Sequence, residues 1–213
     1  MKLGRKDLLL YAITDSALLH ERTLKDVVKE SLDGGATCIQ YRQKHLDIEH
    51  FILEAKQLQQ LCRAYHVPFI IDDNVEIASI IDADGVHVGQ NDMCVEDVRK
   101  KLGSNKIIGA SAHTVQEAVL AEKMGADYLG VGSCFTTTTK EDAKSIDFQI
   151  VKEITQAVTI PVIGIGGITK ENVSQLRGLG LDGIAVISAI YAQKDILQAT
   201  KELKKSVEKM VQL

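Results

Sequence analysis

Apolar residues in this chain gather into short runs separated by polar and small-residue turns. Four runs share one pattern, a turn of small or acidic residues leading into a strand-length stretch. They are Gly34-Gly-Ala-Thr-Cys-Ile-Gln40, Asp82-Ala-Asp-Gly-Val-His-Val88, Gly125-Ala-Asp-Tyr-Leu-Gly-Val131 and Gly180-Leu-Asp-Gly-Ile-Ala-Val186. Aligned on Thr37, Asp84, Asp127 and Asp182, they recur at intervals of 47, 43 and 55 residues. Each interval is about twice one strand–helix unit, so the repeat marks every second strand. The intervening strands are expected at Leu8 to Thr14, Pro68 to Ile71, Lys106 to Ala110 and Pro161 to Ile165. These runs are almost continuously apolar, as strands buried on both faces are. Both prolines open strands, where a missing N–H donor is tolerated.

Helical patterns fill the gaps. Thr114 with Glu117 forms a capping box ahead of Val115, Ala118 and Val119. Near the end, Ile196, Ala199, Leu203, Val207 and Met210 recur at helical spacing and predict a helix packed on the core. Eight strands alternating with about eight helices imply a parallel sheet, and eight repeats in this length imply that it closes. The expected fold is α/β, a (β/α)8 TIM barrel forming a single domain over residues 1–213. An open doubly wound sheet is the alternative, weakened by the lack of a G-x-G-x-x-G turn after the first strand.

Composition narrows the function classes. The 213 residues are 45% hydrophobic with a formal net charge of −4, which describes a globular chain. Acidic and basic residues are mixed, and no basic block points to nucleic acid. The basic N-terminus precedes an apolar run of strand length only, so neither a signal peptide nor a membrane span is expected, and the default location is cytoplasmic. Cys38, Cys62, Cys94 and Cys134 form no C-x-x-C pair, so neither a zinc site nor a disulfide framework is indicated. A homo-oligomer remains open.

In such a barrel the active site lies at the carboxyl ends of the strands. Those ends carry Gln40-Tyr-Arg-Gln-Lys44, Asp72-Asp-Asn74, Gly89-Gln-Asn-Asp92, Ser111-Ala-His113, Gly132-Ser-Cys-Phe-Thr-Thr-Thr-Thr-Lys140, Gly166-Gly167 and Ile187-Ser188. Gly166-Gly167 and Ile187-Ser188, each placed ahead of a helix, predict a phosphate cup built from backbone N–H groups. The alternative is a tight turn and nothing more. Asp73 and Asp92 end adjacent strands and can converge on Mg²⁺, although Asp73 could instead cap the helix starting near Val75. Arg42, Lys44 and Lys140 near such a site suggest a diphosphate ligand. His87 is expected within strand 4, with His113 at the pocket edge.

Taken together, these loops resemble the thiamine-phosphate synthase family. The similarity runs from Tyr11-Ala-Ile-Thr-Asp15 to Val186-Ile-Ser-Ala-Ile190, and is strongest at Gly85-Val-His-Val-Gly-Gln90, Ile108-Gly-Ala-Ser-Ala-His-Thr114 and Ile165-Gly-Gly-Ile168. It implies a transferase joining 4-amino-2-methyl-5-hydroxymethylpyrimidine diphosphate to a thiazole phosphate, with Mg²⁺, giving thiamine phosphate and pyrophosphate. Gln40, Tyr41, Arg42, Gln43, Lys44, Asp72, Ser111 and Lys140 would bind the pyrimidine diphosphate. Asp73 and Asp92 would hold the metal. Thr137, Thr138 and Thr139 with Gly167, Ile187 and Ser188 would bind the thiazole phosphate. Arg42, Lys44 and Lys140 would stabilise the departing pyrophosphate.

Four positions depart from the family pattern. Asp72 stands for a usual asparagine, Asn74 for arginine, Gln43 for glutamate and Thr136 for proline. Asp72 is expected to act as a neutral, asparagine-like acid. Two other functions remain: a thiazole tautomerase on the same barrel, and a non-catalytic sensor of phosphorylated ligands.

Overall fold

The computed structural model describes residues 3–19, 21–44, 46–136 and 145–211. Strands β1 (Leu10–Ile13), β2 (Cys38–Tyr41), β3 (Phe69–Asp72), β4 (Gly85–Val88), β5 (Ile107–Ala112), β6 (Tyr128–Gly132), β7 (Val162–Ile165) and β8 (Gly183–Val186) close in sequence order. All pairs are parallel, and β8 returns to β1 with Leu10 opposite Ile184 and Ala12 opposite Val186. Closure rules out the doubly wound sheet.

Helices α1 (Leu24–Asp33), α2 (Ile48–Ala64), α3 (Val75–Ile80), α4 (Val95–Leu102), α5 (Val115–Lys123) and α6 (Phe148–Ala157) follow the first six strands. Two helices, α7 (Ser188–Tyr191) and α8 (Ile196–Val211), follow β8. After β7 the chain makes only a 3₁₀ turn, Val173–Leu176, where a full helix is expected. Gly178 and Gly180, at φ of 79° and 82°, take the backbone out of helical geometry just beyond it. In α8, Ile196, Leu203, Val207 and Met210 are buried as predicted, but Thr200 takes the buried position beside the half-buried Ala199. The capping box at α5 is displaced by one residue: Thr114 Oγ1 accepts the Glu117 N–H, while Glu117 accepts from His113 N–H at 2.7 Å.

The barrel has two apolar layers, because successive strand residues point to opposite faces. Inside lie Tyr11, Ile13, Cys38, Ile70, Ile107, Tyr128, Ile163 and Ala185. The larger layer between strands and helices holds Leu10, Ile39, Tyr41, Phe69, Val86, Leu129 and their neighbours.

The fourfold sequence repeat has a structural purpose. Thr37 Oγ1 accepts the N–H of Leu10 at 2.9 Å, and Asp84 Oδ2 accepts that of Phe69 at 3.0 Å. Asp127 Oδ2 accepts the N–H of Ile108 at 2.8 Å, and Asp182 Oδ2 that of Val162 at 2.9 Å. Each even strand thus supplies an acceptor to the odd strand before it. Four equivalent bonds stitch the amino end of the barrel and leave the opposite mouth free for chemistry.

Candidate active site

Strand parity decides which residues reach the mouth. Gln40, Asp72, His87 and Ser111 face inward and line one cleft. Tyr41, one residue beyond Gln40, points the other way. It is fully buried among Phe51 and Phe69 and donates to Glu54 Oε2 at 2.5 Å. Burial pushes its hydroxyl pKa well up. Tyr41 is therefore a packing residue outside the cleft, which corrects its expected role in ligand binding. Gln43 lies on the outer rim with Lys44, Asn74 and Met93 rather than in the central cleft.

The cleft has two lobes of different chemistry. Gln40, Arg42, Asp72, Asp73, Gln90 and Asp92 make the first one charged. Gly132, Ser133, Gly166, Gly167, Ile168 and Ser188 line the second, which is more apolar. Ser111, His113, Gly130, Ile165, Ala185 and Ile187 belong to both and form the junction.

In the charged lobe, Arg42 lies between Asp15 and Asp72, each 3.8 Å from its guanidinium. Buried Thr14 accepts the Arg42 N–H at 3.0 Å and holds its backbone. Lys44 Nζ is 3.8 Å from Asp72 and 2.6 Å from Asp73. Asp72 thus faces two cations, Arg42 and Lys44. Asn74, not Asp73, caps α3, accepting the Ile77 N–H at 2.9 Å. That overturns the capping alternative for Asp73.

Asp73 has φ of 58°, and its carboxyl lies close enough to that of Asp92 for each to shift the other's titration. Burial raises the Asp73 pKa, but Lys44 and Asp92 together outweigh it and hold the carboxyl below the usual range. Burial, reinforced by Asp73, pushes Asp92 up against the pull of the Gly89 N–H. Two carboxylates brought this close share a proton or a cation.

In the second lobe, Gly166 and Gly167 have φ of 94° and 62°. A Cβ on Gly166 would lie 1.9 Å from Ser133 Oγ, and one on Gly167 2.4 Å from the Thr136 carbonyl oxygen. The pair therefore permits both the turn and the close approach of the β6 loop. No α-helix starts at this pair, and α7, beginning at Ser188, has four residues. The expected cup therefore lacks a full helix N-terminus at either of its two segments.

His113 sits at the rim with its side chain 57% exposed, 3.3 Å from Glu117. Cys134 is buried, and burial pushes its thiol up to about 11, so it is an inert core thiol. Thr137, Thr138, Thr139 and Lys140 lie outside the described residues.

Sequence reading missed Tyr11 and Tyr128 and gave His87 no role. The three form an interior hydrogen-bonded chain ending at Gln40 and Ser111. Its signal was available in the inward parity of Gly109 and Gly130, where missing side chains leave room for larger ones.

Residues 10–190 match the family model described as thiamine monophosphate synthase. The chain belongs to the thiamine monophosphate synthase family. It is 48% identical over 201 residues to a thiamine-phosphate synthase of Clostridioides difficile, covering 94% of each chain. With that of Pyrococcus furiosus it shares 47% identity over 207 residues, covering 97% of this chain and 98% of the relative. The solved thiamine phosphate pyrophosphorylase from Pyrococcus furiosus superposes with a TM-score of 0.89 at 44% identity, covering 97% and 98% of the two chains. The chain is a transferase of thiamine phosphate synthesis, and these relatives lend no support to the isomerase or sensor alternatives. No helix among the described residues is long and apolar enough to cross a membrane.

Proposed function

We propose that the two lobes of the cleft bind the two halves of thiamine phosphate, side by side. The observation that carries this reading is a pair of adjoining pockets, one charged and one glycine-lined, that share Ser111 and Ile187 in their walls. The charged lobe takes 4-amino-2-methyl-5-hydroxymethylpyrimidine diphosphate. The other takes the thiazole phosphate, with Gly167, Ile187 and Ser188 around its phosphate.

Asp73 and Asp92 suit a hard divalent cation. Both offer carboxylate oxygens, and they already lie close together. Among the described residues no group of three or more His, Cys, Asp or Glu could form a protein-only cage. Two carboxylates suffice for Mg²⁺, which keeps waters and takes phosphate oxygens as its remaining ligands. When bound, Mg²⁺ would offset the negative charge of the diphosphate. Arg42 and Lys44 donate to the same diphosphate and favour its departure as the C–O bond breaks. Gln40 and Ser111 orient the pyrimidine so that its methylene carbon meets the thiazole nitrogen at the junction. The new C–N bond needs no nucleophilic side chain. Lys140 and Thr137 to Thr139 complete this reading as additional contacts to the diphosphate and the thiazole phosphate.

The test is incubation with both phosphorylated halves and Mg²⁺, followed by assay of thiamine phosphate and pyrophosphate. Calorimetry on Ser188→Asp then checks the lobes. A fixed negative charge there should weaken thiazole phosphate binding and spare the pyrimidine diphosphate. Isomerised thiazole without condensation, or equal weakening of both ligands, would overturn the reading.

A further inference from the structure

Five side chains cross the barrel interior beneath the cleft in one chain of hydrogen bonds. Gln40 Nε2 donates to Tyr11 Oη at 3.0 Å, and Tyr11 and Tyr128 hydroxyls meet at 2.8 Å. Tyr128 Oη lies 3.1 Å from His87 Nδ1, and His87 Nε2 lies 3.0 Å from Ser111 Oγ. Gly109 and Gly130 make room for this arrangement: a Cβ at the former would sit 2.2 Å from the Tyr128 ring, and one at the latter 3.2 Å from His87 Cε1.

The chain has a direction, because each hydroxyl owns one proton. Tyr11 accepts from Gln40, and in the direction that runs on from there its own proton goes to Tyr128. Tyr128 then gives its proton to His87 Nδ1. That leaves the imidazole proton on Nε2, donated to Ser111 Oγ. A proton on Nδ1 would set two donors against the Tyr128 oxygen and leave the Tyr128 proton without an acceptor. Tyr128 is fully buried, where an unmet donor is costly. Among the described residues no buried side-chain nitrogen or oxygen lacks a partner. Burial also pushes both tyrosine hydroxyls well above their ordinary pKa, so they keep the protons this scheme needs.

We infer that His87 is a positioning residue that fixes Ser111 as a hydrogen-bond donor toward the cleft, so that this wall selects a heteroaromatic ring presenting an acceptor nitrogen. With Ser111 Oγ receiving the His87 N–H, its own proton is left for the ligand. A ring C–H at that place would leave it unmet. The same polarity removes His87 as a general base for Ser111, since its lone pair at Nδ1 is engaged by Tyr128. The serine is a reader of the ring and not a nucleophile. This inference rests on the pyrimidine occupying the charged lobe.

The test compares the natural pyrimidine diphosphate with two analogues, each having one ring nitrogen replaced by C–H, using the full chain with Mg²⁺ and thiazole phosphate. For the wild type, kcat/KM should fall by roughly tenfold or more with one analogue. Ser111→Ala and His87→Leu should lose most of that discrimination. Tyr128→Phe, which removes a single oxygen, guards against misfolding as the explanation. Nitrogen NMR on histidine-labelled protein should show the His87 proton on Nε2 in the wild type and a mixed tautomer in Tyr128→Phe. A wild type that turns over the natural pair but carries the proton on Nδ1, or a His87→Leu enzyme with undiminished discrimination, overturns the role of His87 alone. A wild type that makes no thiamine phosphate from the natural pair overturns the underlying reading and the ring-selection inference with it.

Discussion

Gly109 is the position at which one added methyl group tests the interior most directly. A Cβ there would lie 2.2 Å from Tyr128 Cζ, 2.4 Å from its hydroxyl and 2.5 Å from His87 Nδ1, where ordinary contact begins at 3.4 Å. In Gly109→Ala both rings must retreat by roughly 1 Å, in a core packed too densely to absorb it elsewhere. The bonds at 2.8 Å and 3.1 Å that Tyr128 makes do not survive such a shift as hydrogen bonds. Leaving a buried hydroxyl unmet costs about 1–3 kcal/mol, and overpacking costs about as much again. Together these amount to about 2–6 kcal/mol, against a typical total stability of about 5–15 kcal/mol. For a chain of this size, each kcal/mol lowers Tm by roughly 2–4 °C, so Gly109→Ala should melt roughly 4–24 °C below the wild type. Gly178→Ala is the control, since nothing lies within 4 Å of its Cβ and only the positive φ of 79° resists substitution. That cost is about 1–2 kcal/mol. Thermal and urea unfolding of both variants give the comparison, and pyrimidine kcat/KM gives the functional readout. If Gly109→Ala is as stable as Gly178→Ala, the close contact of Gly109, Tyr128 and His87 is not as described.

Glu122 takes three hydrogen bonds, from the Thr159 N–H and hydroxyl and from the Ile160 N–H, and the one from the Thr159 hydroxyl leads in lowering its pKa. A depressed carboxyl contributes stability above its unfolded pKa and loses it as pH falls through the folded one. Glu122→Gln should therefore melt lower than wild type at pH 7, with the gap closing below about pH 4, and a gap undiminished at pH 3 would refute the charge-dependent contribution. Tyr41→Phe should keep near-normal kcat/KM, because its hydroxyl serves Glu54 outside the cleft, whereas Arg42→Ala should lose at least about tenfold. Steady-state kinetics on the pair separates outward from inward positions. Asp92→Ala, or chelation of the wild type, should depress turnover by orders of magnitude. Asp73→Asn should behave likewise, while Asp72→Asn, facing Arg42 and Lys44, should keep most activity in a Mg²⁺ titration. Equal losses in Asp72→Asn and Asp73→Asn would make Asp72 a metal ligand.

The closed barrel was legible along the chain because both of its causes are local. Strands buried on two faces need continuous apolar runs, and each even strand needs an acceptor one step before it. That is why Thr37, Asp84, Asp127 and Asp182 repeat. Strand-end chemistry followed, since parallel closure puts Gln40, Asp73, Asp92 and Ser111 at one mouth. Tertiary structure alone decided which neighbours face it. Tyr41 and Arg42 are adjacent, and both are large residues that suit a ligand or a core. Only barrel closure sets the parity that sends Tyr41 into the helix layer. It also chose Asn74 over Asp73 as the cap of α3, freeing Asp73 to meet Asp92. The interior chain from Gln40 to Ser111 was the least readable feature. It joins β2, β1, β6, β4 and β5, with bonded residues up to 117 apart in sequence, through hydroxyls whose partners exist only once the ring has closed.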